Sequence, residues 1–143
     1  MTMRCSLTRD TIAISAVALS GFLVSGCASP PAVTHEQAIE SADRTTAEYF
    51  QRTPENHLQI VLVHDRIFVP TPIRTTVFVD RTPLGTINQG EKMTFFVPTG
   101  QLILGWSALM ESIREQYFVV SRTSKNNFRF KVVDGMMGFA RED

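Results

Sequence analysis

The side chains best suited to acid–base or metal chemistry in this chain are three histidines, at positions 35, 57 and 64. His57 and His64 flank a predicted strand and lie seven residues apart, so a regular strand would point them to opposite faces. This spacing argues against a shared metal ion, and we expect both to be exposed at strand ends. Asp65 follows His64, but adjacent strand residues point apart, which argues against a catalytic dyad. Because the chain has no G-x-S-x-G, H-E-x-x-H or P-loop motif, we expect a protein that is not an enzyme and holds neither metal nor cofactor.

The first 27 residues have the order of a secretory leader. Arg4 and Arg9 precede an apolar stretch at 12–24, and small residues follow it up to Cys27. At 13 residues this stretch is shorter than the ~20 that span a bilayer as a helix, so a signal peptide is the better interpretation. The sequence LVSGC at 23–27 resembles the bacterial lipobox, in which the cysteine is acylated and the residues before it are removed.

The lipobox resemblance implies a lipoprotein whose leader is residues 1–26. Cys27 would carry a covalent lipid that anchors the protein to a membrane, and residues 27–33 would form the lipidated end and a flexible tether. Ala28 rather than Asp follows the cysteine, which in such proteins implies sorting to the outer membrane, and we expect its periplasmic face. Two or three acyl chains hold a protein stably at a membrane, whereas one holds it marginally. An ordinary signal peptide cut near a cysteine is the alternative.

Charge and cysteine content exclude several classes of function. The chain has 143 residues, with 14 Lys plus Arg against 14 Asp plus Glu, which fits one domain with attachments. A net charge of zero lacks the basic patch that phosphate binding requires, so we expect no nucleic-acid partner. Because Cys5 would leave with the leader and Cys27 would carry lipid, the folded part would have no thiol for a disulfide, a zinc site or a nucleophile.

The segment 34–53 predicts one amphipathic N-terminal helix. Thr34 and Gln37 have the spacing of a capping box, and apolar residues then recur at intervals of three and four, which places them on one helix face. Pro54 would end the helix. We expect the apolar face to pack on the domain rather than to stay free for a partner, because such faces mostly cover a core.

Over residues 55–143 the hydrophobic period changes from 3.6 to 2. About seven short strands separated by turn signals predict a mainly β domain, a small antiparallel β-sandwich, with a barrel as the alternative. The segments 113–121 and 127–133 are predicted to form a hairpin around 122–126. The apolar segment 135–140 is predicted to be either an added edge strand or a docking segment.

Three short motifs in this domain resemble the PEGA domain and its bacterial lipoprotein relatives. They are VFVD at 77–80, PLGT at 83–86 and VPTG at 97–100. The sequence departs from the family at Arg81, where the family usually has glycine, and at Gln101, where it often has His or Tyr. The resemblance implies a small extracytoplasmic β-sandwich and carries no catalytic residues.

Adjacent aromatic residues indicate a surface on an outer face. Phe95 and Phe96 cannot both point into the core of one sheet, and neither can Tyr117 and Phe118. One ring of each pair must face outward, where it would seat a partner or lie beneath the helix at 34–53. We favour the covered arrangement, because large exposed apolar patches are uncommon on monomers.

Two functions fit these features. The preferred one is a non-catalytic structural or protein-interaction component of the cell envelope, in which substitution of Trp106 or Phe139 would lose a protein partner without unfolding the domain. The alternative is a module that binds peptidoglycan or another envelope glycan through an exposed aromatic ring and polar turn residues. The polar candidates are Asp80, Arg81, Asn126 and Asn127. The first function is preferred because no dense set of such polar residues surrounds an aromatic residue in the sequence.

Overall fold

The computed structural model of the protein describes residues 31–67, 73–108 and 111–142. These residues form nine β-strands and a short 3₁₀ helix at Ala47–Phe50. The strands are β1 (Ile39–Glu40), β2 (Leu58–His64), β3 (Thr75–Val79), β4 (Thr82–Ile87), β5 (Glu91–Val97), β6 (Gly100–Ala108), β7 (Arg114–Val120), β8 (Asn127–Val133) and β9 (Met136–Arg141). The domain is mainly β, as predicted, but the described part has more strands than the expected seven. The predicted leader at 1–26 and Cys27 lie outside the described residues.

The strands are arranged in two sheets that share one core. Sheet A has the order β1-β5-β2-β8-β9, and sheet B has the order β4-β3-β6-β7. All pairs in sheet B are antiparallel, whereas in sheet A β1 runs parallel to β5 and β2 runs parallel to β8. The predicted antiparallel pairing is therefore right for most of the strand pairs and wrong for these two.

Alternating side chains from both sheets fill the space between them. The largest buried apolar side chains are Phe95, Phe128, Phe130, Ile60, Leu62, Leu84, Ile87, Met93, Leu102 and Leu104. On the outer face of sheet A, Val63 is buried as well, because it clusters with Val33 and Ala38 of the N-terminal segment. Removal of this apolar surface from water stabilises the fold by roughly 25 cal/mol per Å².

The amphipathic helix predicted at 34–53 does not form. Its capping box does, since Thr34 and Gln37 exchange main-chain to side-chain hydrogen bonds of 3.2 Å, but the turn is not continued. The chain extends instead at Ile39–Glu40 beside β5, and Ser41 Oγ donates to a carbonyl oxygen of β4 at 2.7 Å. Pairing with these strands prevails over a helical tendency that the Ser, Thr and Asp residues of the segment already weaken. Within the described ranges, no helix has the length and apolar character needed to cross a membrane.

The predicted hairpin of 113–121 with 127–133 is also wrong. Both strands form, as β7 and β8, but β7 pairs with β6 in sheet B, and β8 pairs with β2 and β9 in sheet A. The loop between them crosses from one sheet to the other and is closed by hydrogen bonds between Ser121 and Ser124. A loop of this length serves a hairpin or a crossover equally well, so the partners of each strand in the two sheets decide the connection.

Two tight turns contain residues in the left-handed region. Asp80 and Arg81, between β3 and β4, have φ values of +47° and +67°, and Asp134 and Gly135, between β8 and β9, have values of +50° and +80°. Positive φ at both central residues is the pattern of a type I′ hairpin turn, whose twist matches that of the strands. Arg81 therefore adopts a conformation that favours glycine, the residue that the PEGA pattern has at this place.

The strands β7 and β9 lie at the edges of their sheets on one side of the domain. The segment predicted at 135–140 as an edge strand or a docking segment is thus an edge strand. Gln116 of β7 bridges to it, because its Oε1 accepts from Phe139 N at 2.5 Å and its Nε2 donates to Phe139 O at 3.3 Å. Arg141 of β9 donates in return to the carbonyl oxygen of Val119. The two edge strands are tied to each other across the gap between the sheets.

Candidate functional site

His64 is buried, contrary to the exposed position predicted for it. Its side chain is 0% exposed at the end of β2 and packs edge-on against Phe130, with ring centroids 4.9 Å apart. Nδ1 lies 2.8 Å from the carbonyl oxygen of Asp65 and donates to it, so Nε2 accepts from Thr75 Oγ1 at 3.3 Å. His64 points inward because it has the same strand parity as the core residues of β2.

Burial lowers the pKa of His64 below its ordinary value of 6.5, although the carbonyl and carboxylate of Asp65 act to raise it. The ring is therefore neutral at neutral pH. The Asp65 carboxylate accepts from Arg129 at 3.2 Å rather than from the ring, and His57 bonds to loop residues at the opposite end of β2. The histidines do not converge, and in the described ranges no three His, Cys, Asp or Glu side chains are placed to hold a metal ion.

A cleft with a volume of about 340 Å³ opens at the end of the domain where His64 lies. We call it the end cleft. Its most buried lining residues are His64, Thr75, Trp106 and Phe130. Its more accessible lining includes Ile67, Ile73, Glu111, Arg114, Met136 and Met137. The volume is at the lower end of the roughly 300–1,000 Å³ that ligand pockets have.

Trp106 and Phe139, predicted as part of a partner surface, lie together inside the domain. Trp106 is 8% exposed and Phe139 is 2% exposed, and their ring centroids are 5.3 Å apart in an edge-to-face arrangement. Phe130 contacts both rings. Both rings belong to the core, and Trp106 also borders the end cleft. Substitution of Phe139 is therefore expected to destabilise the fold, which replaces the expectation that it would only lose a partner.

Asp80 and Arg81 lie at the opposite end of β3 from the end cleft. Asp80 Oδ1 accepts from a main-chain N–H of β6 at 3.2 Å. Arg81 reaches the outer face of sheet B, where its Nε donates to Glu115 Oε1 at 2.9 Å, and Tyr117 donates to the other carboxylate oxygen at 3.4 Å. The hydrogen bond from Arg81 lowers the pKa of Glu115. The structure therefore brings Arg81 to Tyr117 and brings neither turn residue to Trp106.

The outer face of sheet B carries a row of accessible apolar side chains. On β7, Tyr117 is 59% exposed and Val119 is 72% exposed, and Ile113, just before β7, is 44% exposed. Ile103 of β6 and Phe78 of β3 are half-buried beside them. We call these five residues the outer stripe. The N-terminal segment, predicted to cover an outer face, covers part of that of sheet A and runs along β4, and does not cover the outer stripe.

Gly105 of β6 has no side chain, which leaves room for Ile113 and Phe78 of the outer stripe to approach each other above it. A Cβ at this position would lie 3.0 Å from Ile113 Cγ2 and 3.3 Å from Phe78 Cβ, so these two side chains occupy the space that a larger residue would fill. The aromatic pair of β7 behaves as predicted in one respect, because Tyr117 points outward and Phe118 points inward towards the core. The expected helical cover over the outward ring is missing from the described residues.

A buried charged cluster, which sequence reasoning missed, joins the N-terminal segment to sheet A. Arg129 is only 9% exposed. Its Nη1 donates to Val33 O at 2.7 Å and to Asp65 Oδ1 at 3.2 Å, and its Nε donates to Glu142 Oε1 at 2.5 Å. His35 contacts the other oxygen of the Glu142 carboxylate. We call this cluster the Arg129 clamp. Strand alternation places Arg129 on an outer face, but the segment that buries it is 96 residues away in sequence.

The Arg129 clamp keeps Glu142 ionised. Partial burial acts to raise the pKa of this carboxyl, but the hydrogen bonds from His35 and Arg129 outweigh burial and lower the pKa below its ordinary value of 4.5. Opposite charges are therefore paired in the clamp at neutral pH, where they hold Val33 against sheet A.

Comparison of the chain with protein-family models, with curated proteins and with solved structures finds no match. The likeness to the PEGA domain therefore rests on the motifs at 77–80, 83–86 and 97–100 alone. The function must be inferred from the outer stripe, the end cleft and the Arg129 clamp.

Proposed function

We propose that this protein is a bacterial lipoprotein that acts in the cell envelope by non-catalytic contact with another protein. The lipid on Cys27 anchors it, after loss of residues 1–26, to the periplasmic face of the outer membrane. The order of charged, apolar and small residues before Cys27 supports the anchor. The outer stripe supports the contact.

The observation that carries the contact role is the exposure of the outer stripe. Large contiguous patches of exposed apolar side chains are uncommon on monomers and mark sites of contact with other molecules. Tyr117 and Val119 are more exposed than buried, and they stand side by side on the same face of an edge strand. Tyrosine is enriched at protein interfaces, where its ring gives apolar contact and its hydroxyl can form a hydrogen bond.

Site-specific photocrosslinking in the native cells tests this role. A photoreactive phenylalanine analogue replaces Val119 in the outer stripe, and in the matched control it replaces Gln59, an exposed strand residue of sheet A. We expect one reproducible protein adduct from position 119, identified by mass spectrometry, and none from position 59. Equal adducts from both positions, or none from either, would contradict the contact role.

The anchor is tested separately with Cys27→Ala. We expect the wild-type protein to carry acyl mass on Cys27 and to sediment with membranes, and the variant to do neither. Because an anchored protein meets a membrane-bound partner at a high effective concentration, the adduct from position 119 should disappear in the variant. An adduct of unchanged yield would show that the contact does not depend on the anchor.

Binding of peptidoglycan or another envelope glycan is the second candidate function, and the surroundings of Tyr117 favour it. The exposed ring lies beside the Arg81–Glu115 ion pair, so an apolar face and charged hydrogen-bonding groups are adjacent. Cosedimentation with purified peptidoglycan distinguishes the two functions. Glycan binding predicts that Tyr117→Ala loses cosedimentation while Val119→Ala keeps it, because a sugar stacks on the ring. Protein contact predicts that neither variant nor the wild type cosediments.

A further inference from the structure

The end cleft lies at the end of the domain where the N-terminal segment is attached. Val33 N donates to Asp65 Oδ1 at 3.1 Å, and Val33 O accepts from Arg129 at 2.7 Å. Asp65 and Arg129 are the chain neighbours of His64 and Phe130, which pair in register across β2 and β8 and line the cleft. Successive strand residues point to opposite faces of a sheet, so the N-terminal segment lies directly behind the wall of the cleft.

The chain between the anchor and this attachment is short. Cys27 and Val33 are six residues apart, which spans at most about 20 Å when fully extended. The Arg129 clamp fixes Val33, so a lipid on Cys27 holds the cleft end of the domain close to the bilayer surface. The turn at Asp80 and Arg81 then lies at the end that points away from the membrane.

We propose that the end cleft binds an acyl chain of a membrane lipid at the surface to which the protein is anchored. This inference rests on the lipid anchor of the proposed function and does not depend on the outer stripe. It assigns the cleft a hydrocarbon occupant rather than a water-soluble ligand or a protein segment.

The chemistry of the deep wall favours a hydrocarbon chain. Both ring nitrogens of His64 are already hydrogen-bonded within the protein, one of them to Thr75. An apolar occupant therefore leaves neither nitrogen unsatisfied, whereas a polar ligand could bond to Nε2 only by displacing the Thr75 hydroxyl. The rest of the deep wall is formed by the rings of Trp106 and Phe130.

The size of the cleft and its hydration point to the same occupant. A volume of about 340 Å³ suits one slender chain rather than a whole lipid with its headgroup. When the cleft is filled with hydrocarbon, its apolar lining leaves water, and the acyl chain only moves from one apolar environment to another. The favourable free energy of binding therefore comes from removing the apolar lining of the cleft from water.

The charges at this end of the domain have mixed sign. Exposed Arg66, Arg74 and Arg114 are cationic, and exposed Glu111 and Asp134 are anionic. Such a mixture attracts neither sign of headgroup strongly. We therefore expect binding to follow the acyl chain and to be similar for zwitterionic and anionic lipids.

Trp106 reports directly on the cleft, because it is the only tryptophan in the chain and lines the cleft. The lipidated protein is reconstituted into phosphatidylcholine vesicles whose acyl chains carry bromine, which quenches tryptophan on contact, or do not. We expect Trp106 emission to be lower in the brominated vesicles. The same loss is expected when phosphatidylglycerol replaces part of the phosphatidylcholine.

Two phenylalanine substitutions separate occupation of the cleft from proximity to the membrane. Ala108→Phe places a ring in the cleft lining and is expected to abolish the loss of emission. Gln59→Phe places the same ring at an exposed position outside the cleft and is expected to keep the loss. Should Ala108→Phe fail to fold, as judged by circular dichroism, Ser112→Phe at an exposed lining position takes its place.

The outcomes distinguish failure of this inference from failure of the anchor. Intact mass of the wild-type protein measures acylation, and absence of acyl mass from Cys27 would overturn the anchor and the cleft assignment together. An acylated protein whose Trp106 emission is unchanged by brominated lipid, or is quenched equally in Ala108→Phe, would overturn the acyl-chain site alone. A protein adduct obtained from a photocrosslinker at Ala108 would assign the cleft to a protein segment instead and would also overturn it.

Discussion

Replacement of Arg129 by methionine tests how the domain holds its N-terminal segment. Methionine fills much of the same volume but removes all the donors that Arg129 supplies, so the Asp65 and Glu142 carboxylates lose their shared cation. Removal of one partner from a buried ion pair costs about 3–5 kcal/mol. The side chains of Asp65 and Glu142 are 14% and 28% exposed, so water recovers part of this cost. We expect the free energy of unfolding to fall by about 2–3 kcal/mol, which lowers Tm by about 10 °C.

Urea denaturation followed by Trp106 fluorescence measures this loss. Lys131→Met is the matched control, because Lys131 lies two residues further along the same face of β8 and is outside the clamp, and we expect it to change stability by less than about 0.5 kcal/mol. Glu142→Gln alone and combined with Arg129→Met completes a double-mutant cycle. The combined cost should be less than the sum, since the two residues share one interaction. If Arg129→Met and Lys131→Met unfold at the same urea concentration, the reasoning about the clamp is refuted.

The Arg129 clamp should also make the stability of the domain depend on pH in acidic solution, through Glu142. Because the folded-state pKa of Glu142 lies below its ordinary value of 4.5, its stabilising contribution is present above about pH 4.5 and is lost as pH falls through the lowered pKa. The difference in free energy of unfolding between the wild type and Glu142→Gln should therefore shrink below pH 4.5. A difference that stays constant in more strongly acidic solution would contradict the assigned ion pair.

Three further substitutions test the core, one close approach and the buried histidine. Phe139→Ala is expected to lower the free energy of unfolding by about 3–5 kcal/mol through the cavity it leaves, and an unchanged urea midpoint would contradict the core position of the ring. Gly85→Ala places a Cβ 2.1 Å from the carbonyl oxygen of Asp43, so it should cost more than Gly100→Ala, whose Cβ would have no neighbour within 4 Å; equal midpoints would mean that the clash relaxes. Because the folded-state pKa of His64 lies below 6.5, the wild type should lose stability as pH falls from 6.5 through the lowered pKa. The free energy of unfolding of His64→Gln should change less with pH over that range. If it changed with pH as much as that of the wild type, this role of the His64 ring would be ruled out.

The strands of this domain were predictable where local pattern decides them. β2 follows from the apolar run at 58–63, and β5 and β6 are bounded by the turn signals around Gly90 and Gly100. Because Tyr117 and Phe118 are adjacent in sequence, one of the two rings was predicted to point outward without any knowledge of the fold. These features depend only on strand period and turn chemistry, which a single segment carries by itself.

The remaining features depend on contacts between distant segments. The capping box at Thr34 forms, but main-chain pairing with β5, some fifty residues later, replaces the helix. The inward position of His64 follows from the alternation of side chains along β2. Its place at the end of the apolar run had suggested an exposed side chain instead. Arg129 is buried by Val33, and no property of either residue indicates that they meet. The burial of Trp106 and Phe139 likewise depends on the packing of the two sheets, which no local pattern indicates.

The hydrogen bonds between Gln116 and Phe139 bear on how copies of the protein would meet on a membrane under the proposed lipid anchor. An uncapped edge strand acts as a template on which the next chain polymerises, and molecules confined to a surface collide often. The main-chain donor and acceptor of Phe139 are both occupied by the amide of Gln116, so an incoming strand would have to displace that amide before it could nucleate a fibre. Strand addition to the β9 edge at Phe139 therefore requires the Gln116 side chain to move first.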